Sequence, residues 1–313
     1  MSKLSDQIRM DFAAGDAIRD EGLKTPADVK RYDDIAYGAD EKYNLLDVYR
    51  PAGAGNKSLP VIAIVHGGAW VYGDKEVYQF YGMSLAQRGF AVVNFSYRLA
   101  PEHRFPAQLE DICAAFDWIG ENGEKYGLDI NNVFAVGDSA GGHLLGLFAA
   151  LCVNPGYRKA LADKYPKAGL LRCSAYHGSE TVKLKAVALN CGKYSLSKLT
   201  EEDPNLPVIM GDFLTEGGSE DELFLTDVLE QLNEDYPEVF LMTCPGDFLK
   251  NQAPLIVKAM VDKGIPFKFR YYGSAKDPLH HVFHCNVRLK PGQKCNDDEC
   301  AFFMNRVTQD GEA

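Results

Sequence analysis

The segment Gly137-Asp138-Ser139-Ala140-Gly141-Gly142 sets a hydroxyl between glycines two residues to either side. It follows the apolar run Val133–Val136 and opens the leucine- and alanine-rich stretch Ala140–Leu151, which reads as strand, turn and helix. A serine on such a turn sits in strained backbone that only small neighbours tolerate. The free N–H groups and the positive end of the helix then face whatever negative charge develops beside it. Nucleophilic attack by Ser139 is the chemistry this arrangement suits. The pattern Gly-x-Ser-x-Gly is common; the flanking strand and helix give it weight.

A second turn, His66-Gly67-Gly68-Ala69-Trp70, directly follows the apolar run Val61–Val65. Consecutive glycines let backbone N–H groups approach a ligand closely, as the stabilisation of an oxyanion requires. A serine also needs a base, and the base needs an orienting acid. Among the seven histidines, the cluster His280, His281 and His284 lies beyond the last strand-like run, Phe267–Tyr271, where a loop can return to the sheet edge. For the acid, Asp247 follows the run Val239–Met242, just past the carboxyl end of a strand. Asp235 and Asp277 compete with it, although an aspartate before Pro278 commonly stabilises a turn.

These residues must be positioned by a sheet. The runs Val61–Val65, Phe90–Tyr97, Val133–Val136, Val187–Leu189, Val239–Met242 and Phe267–Tyr271 alternate with helical stretches opening at Pro106, Ala140, Leu255 and Cys300. Runs apolar on both faces and separated by helix-length crossovers indicate a mostly parallel α/β sheet covered on both sides. Tyr43–Tyr49 alternates more and reads as an antiparallel edge strand. Residues 154–180 read as a charged, mainly helical excursion, and residues 193–235 mix acidic clusters with Pro and Gly; either is a lid or solvated surface. No repeat or low-complexity linker divides the 313 residues, so one domain spanning 1–313 is expected, with a partial lid from 1–40 and 193–235.

The chain carries 33 basic and 44 acidic side chains, a formal charge of −11, which disfavours nucleic acid and anionic membrane surfaces as partners. No apolar run is long enough for a membrane span, and Met1–Asp20 lacks the apolar core of a secretory leader. The eight scattered cysteines read as reduced thiols of a cytoplasmic protein. His284, Cys285, Cys295 and Cys300 have a zinc-like composition without the two-residue spacing of a metal knuckle, so no metal is expected. No phosphate-binding glycine loop is present and no cofactor is expected.

Taken together, Gly-Asp-Ser139-Ala-Gly-Gly, the upstream His66-Gly67-Gly68, Asp247, His281 and Tyr97-Arg-Leu-Ala-Pro-Glu102 resemble the α/β-hydrolase fold in its hormone-sensitive-lipase-like carboxylesterase branch. The resemblance spans roughly residues 40–285. It implies Ser139 as nucleophile, His281 as general base (with phenylalanine two residues on, at Phe283) and Asp247 as the orienting acid. It further implies an oxyanion hole from Gly67, Gly68 and the Ala140 N–H, and places Trp70 and Tyr72 by the substrate pocket or in packing. The acidic surface and the lack of an amphipathic membrane helix favour a short-chain ester as substrate, and the resemblance suggests a homodimer. An aryl formamidase on the same fold, or a ligand receptor that has lost catalysis, are the alternatives. The chain departs from the branch at Ala69, where a third glycine is usual, and at Phe248 and Asn251, where Pro and Asp are usual. Arg98 and Glu102 are expected to form a structural ion pair, and Asp138 to anchor the turn.

Overall fold

The structure is a computed structural model and describes residues 2–177, 181–197 and 205–308. In chain order the elements are α1 (Lys3–Asp20), β1 (Val29–Ala36), β2 (Leu45–Pro51), β3 (Leu59–Val65), α2 (Gln79–Ala86), β4 (Ala91–Phe95), α3 (Ala107–Tyr126) and β5 (Leu128–Asp138). There follow α4 (Ala140–Val153), α5 (Pro155–Lys164), β6 (Leu184–Asn190), α6 (Leu206–Phe213), α7 (Glu220–Leu225), α8 (Val228–Gln231), β7 (Glu238–Thr243), α9 (Gln252–Lys263), β8 (Phe267–Tyr271) and α10 (Lys290–Met304).

Among the described residues eight strands form one sheet in the order β1-β2-β4-β3-β5-β6-β7-β8. β2 pairs antiparallel with β1 and β4, and every pairing from β4 through β8 is parallel. Alternation along β3 divides the core. Val61, Ala63 and Val65 join one apolar cluster with Leu109, Ile112 and Phe116 of α3 and Leu144 and Phe148 of α4. Ile62 and Ile64 join a second cluster with Met83 and Leu85 of α2 and Phe302 and Phe303 of α10. A strand buried on both faces reads as continuous apolar sequence, which is why these runs stand out.

Three expectations change. The stretch Tyr43–Tyr49 is antiparallel but internal; the edge is β1, whose Val-Lys-Arg-Tyr-Asp-Asp-Ile-Ala sequence lacks an apolar signature because one side is open to solvent, and whose pairing shifts register between Tyr32 and Ile35. Arg98 pairs with Asp111 and Glu110 at 2.9 Å each, while Glu102 pairs with Arg9 of α1 at 2.7 Å. The excursion over 154–180 is helical only through α5, its last three residues lying outside the described part. In the segment 193–235 the described residues form α6, α7 and α8; 198–204 lie outside the description.

Helix α1 docks through Leu4 and Ile8, which pack against the first core cluster, and through polar contacts. The hydroxyls of Ser2 and Ser5 donate to Asp212 of α6 at 2.6 Å each, and Arg9 donates to the carbonyls of Val71 at 2.7 Å and Ala100 at 2.9 Å. Because its apolar stripe is short and set among charged residues, the helix escapes a reading based on hydrophobic pattern.

Candidate active site

Ser139 occupies the single-residue turn between β5 and α4 with φ 54° and ψ −121°, a conformation that non-glycine residues avoid. The turn survives because its neighbours have no side chains. A Cβ on Gly137 would lie 2.6 Å from the Gly141 carbonyl oxygen, and one on Gly141 only 2.1 Å from that of Val65. The Ser139 N–H donates to the Asn190 carbonyl at 3.1 Å, tying the turn to β6.

Asp247 follows β7 in the turn Cys244–Asp247 and is almost fully buried. Its Oδ1 accepts from the His281 ring nitrogen Nδ1 at 2.6 Å and from the Leu249 N–H at 2.9 Å, and its Oδ2 accepts from the Thr243 hydroxyl at 2.7 Å. Burial opposes ionisation, yet the His281 hydrogen bond and charge, with Thr243 and Leu249, outweigh it and hold the carboxyl below its usual range. Asp277 instead closes its own loop, donating its N–H to the Ser274 carbonyl at 3.1 Å. Of the other histidines, burial pushes His66 and His143 down to about 4 and His284 down to about 3, so all three are neutral packing groups. His66 stacks on Tyr97 with ring centroids 3.9 Å apart. His280 is exposed one residue away from the ring that reaches Asp247.

Ser139 and His281 line one cavity of about 290 Å³, together with Gly67, Gly68, Tyr72, Tyr78, Asp138 and Phe248. No hydrogen bond joins the Ser139 hydroxyl to the His281 ring; such contacts are often long in unliganded enzymes and tighten on substrate binding. The two glycines of the turn differ. The Gly67 N–H already donates to the Tyr78 hydroxyl at 2.8 Å, which donates in turn to Asp138 Oδ2 at 2.8 Å. Gly67 is therefore engaged as a donor. Among the described residues the N–H groups of Gly68 and Ala140 make no hydrogen bond. Gly68 has φ 122°, and a Cβ there would meet the Tyr72 carbonyl oxygen at 2.0 Å, so no other residue fits. Asp138, buried in the elbow, is pushed up to about 7 by burial, against the Tyr78 hydrogen bond and the charges of His281 and Arg19.

Trp70 lies away from the cavity. It is buried, stacks on Phe213 at 4.7 Å and donates its indole N–H to His143 at 3.2 Å, so it packs. Tyr72 does line the cavity and donates its hydroxyl to Asp16 at 3.0 Å. Part of the cavity wall comes from α1 through Phe12, Asp16 and Arg19, which no motif announces. Behind the elbow, Glu299 of α10 accepts from Asn190 at 2.6 Å and from the Tyr81 hydroxyl at 2.8 Å; burial pushes it up to about 7. All eight cysteines are buried free thiols. Among the described residues two groups bring three potential metal donors within 4.8 Å of one another, Asp138–His284–Cys285 and Cys191–Asp247–His281, while Cys295 and Cys300 join neither.

The comparisons bear on the family and the fold. Residues 46–269 match the BD-FAE family. Esterase LipC of Mycobacterium tuberculosis is 37% identical over 130 residues, covering 41% of this chain and 32% of LipC. Carboxylesterase NlhH of the same organism is 33% identical over 166 residues, 50% of this chain and 52% of NlhH. The chain thus spans about half or less of the length of these relatives. The inhibited esterase B from Lactobacillus rhamnosis superposes with a TM-score of 0.84 at 25% identity, over 96% of this chain and 94% of that one. The chain has the α/β-hydrolase fold and belongs to the BD-FAE family.

Proposed function

We propose that this chain is a cofactor-free serine carboxylesterase acting on small neutral esters of short acyl chain. The Asp247–His281 hydrogen bond at 2.6 Å, opening on the same cavity as the strained Ser139, carries the reading. Asp247 holds the tautomer of His281 with Nδ1–H toward itself, leaving Nε2 to take the Ser139 proton. The Ser139 oxygen attacks the ester carbonyl. The Gly68 and Ala140 amides receive the developing oxyanion, and the positive end of α4 adds to the field. Protonated by His281, the alcohol leaves; water, deprotonated by the same ring, then releases the acid from the acyl-enzyme.

In this reading α1 and α6 act as a partial lid of a single domain, the two helices being joined by the Ser2 and Ser5 bonds to Asp212. The carboxylates of Asp11, Asp16 and Asp138 near the cavity, with Arg19 the one Lys or Arg lining it among the described residues, favour uncharged esters over acids. Among the described residues no helix is long and apolar enough to cross a membrane. A cytoplasmic setting fits eight free thiols, and a homodimer remains part of the proposal.

The test is Ser139→Ala, expected to lower kcat for p-nitrophenyl acetate by ~10⁶, alongside stoichiometric fluorophosphonate labelling of wild-type Ser139. A variant keeping a tenth of wild-type turnover excludes the assignment. An unlabelled serine points to a receptor, and faster turnover of N-formylkynurenine than of the acetate points to an amidase.

A further inference from the structure

Cys191 follows β6 directly and is buried beside the Asp247–His281 pair. Its sulfur lies 3.7 Å from that of Met242, is hydrogen-bonded to the Cys244 thiol and accepts from the N–H of Val282, the residue after His281. The donor atoms of Cys191, Asp247 and His281 fall within 4.8 Å of one another. They come from the carboxyl ends of β6 and β7 and from the loop beyond β8, so parallel strands assemble the group and no close spacing in the chain announces it.

Thiolate, imidazole and carboxylate are the ligand types that Zn²⁺ takes. Around a tetrahedral zinc such atoms stand about 3.3–3.8 Å apart, so side-chain movements of about 1 Å bring these three into place. One thiolate and one carboxylate also cancel the charge of a divalent ion, which leaves a buried centre neutral. The way in is acidic: Asp11, Asp16 and Asp138 line the cavity onto which His281 and Val282 open, with Arg19 the one Lys or Arg among the described residues there. The other donor group, Asp138–His284–Cys285, feels the Arg19 charge at all three members, which repels a cation.

We infer that Cys191, Asp247 and His281 form an inhibitory site for a thiophilic divalent cation such as Zn²⁺, with the Cys244 thiol available as a fourth donor. On binding, the Cys191 S–H bond breaks, its proton passes to solvent and a sulfur–metal bond forms. The ring proton of His281 moves from Nδ1 to Nε2, and the freed Nδ1 lone pair goes to the metal. An Nε2–H has no lone pair left for the Ser139 proton, so binding and catalysis exclude each other. No electron is transferred, and a chelator reverses the change. The inference goes beyond the esterase reading: the site stands on its donors, and only the effect on turnover rests on that reading.

The experiment uses the full chain, reduced and then kept under nitrogen so that the thiols stay thiols. Zn²⁺ and Cd²⁺ should each inhibit p-nitrophenyl acetate turnover, and EDTA should restore it. Without substrate, Cd²⁺ should raise the ultraviolet thiolate-to-metal charge-transfer band, saturating at one metal per chain. Cys191→Ser should weaken the inhibition, measured against its own metal-free rate, about tenfold or more and remove the band. Asp247→Asn, read by the band alone, should need about tenfold more Cd²⁺, which keeps a test in hand if the serine variant does not fold. Cys285→Ser, in the other donor group, should change neither readout. Inhibition of undiminished strength in Cys191→Ser, or a band lost in Cys285→Ser instead, overturns the site. Turnover that neither metal touches, in a protein that gives no band, overturns it as well and leaves the esterase reading standing. A Cys191-dependent band in a protein that turns over no ester overturns the esterase reading and leaves the metal site.

Discussion

Replacing Glu299 by Gln should make the protein more resistant to alkaline pH. Glu299 is fully buried on α10, where Asn190 and the Tyr81 hydroxyl donate to its two oxygens. Those bonds favour the carboxylate, but burial dominates and pushes the group from 4.5 up to about 7. The native state therefore holds this proton more tightly than the unfolded chain. The stabilisation is complete below about 4.5 and is lost as pH rises through about 7. A gap of that size, at ~1.4 kcal/mol for each tenfold change in proton affinity, amounts to about 3 kcal/mol, of which ~2–3 kcal/mol falls between pH 5 and 8.5. Glutamine keeps the shape, accepts from Asn190 with its oxygen and offers its amide to the Tyr81 oxygen, without a charge to bury. Urea unfolding at the two pH values checks this: relative to wild type, the variant should gain ~2–3 kcal/mol on going from pH 5 to 8.5. Asp138, also pushed up to about 7, titrates in both proteins and raises Glu299 by its charge, so the difference reports Glu299 together with that coupling. Parallel stability curves would refute the reasoning, because they would mean that the carboxylate is solvated in the native state.

Two further substitutions probe the site. Asp247→Asn removes the acceptor that orients His281, and kcat for p-nitrophenyl acetate should fall ~10⁴-fold by steady-state kinetics; a loss under tenfold would contradict the assignment of the acid. Gly141→Ala puts a Cβ 2.1 Å from the Val65 carbonyl oxygen and 2.4 Å from that of His66, so β3 and α4 must move apart, at a cost of ~1–3 kcal/mol or more. An unchanged thermal midpoint would mean that the elbow is looser than its contacts indicate.

How far the sequence could be read follows from where each residue lies in the sheet. β3, β5 and β7 are covered on both faces, so each appears as a short apolar run, and the chemistry follows at its carboxyl end: Gly67-Gly68 after β3, Ser139 after β5 and Asp247 after β7. Parallel strands bring those three turns to the same edge, which is why motifs far apart in the chain could be paired before any coordinates were known. β1 and α1 lacked such a signal. The edge strand has one open side and a charged sequence, and α1 is held partly by Ser2, Ser5 and Arg9, whose hydrogen bonds leave no periodic trace beside the short apolar stripe of Leu4 and Ile8.

The engagement of Gly67 marks a different kind of limit. Both glycines of the turn looked equivalent as donors, and only the Tyr78 hydroxyl, eleven residues further on, distinguishes them. That hydroxyl links the oxyanion turn to Asp138, which precedes Ser139, so turn and elbow are held in register by a side chain that neither motif contains. Glu299 does the same from behind: it holds Asn190, whose carbonyl accepts the Ser139 N–H. The strained φ of Ser139 is thus fixed from two sides by buried acids, each pushed up to about 7. Near neutral pH both acids are part-protonated, and the charge behind the elbow is lowest on the acid side, where the stability they lend is greatest. A local sequence pattern identifies the groups that react, whereas the groups that hold them in place are found only where distant elements pack together.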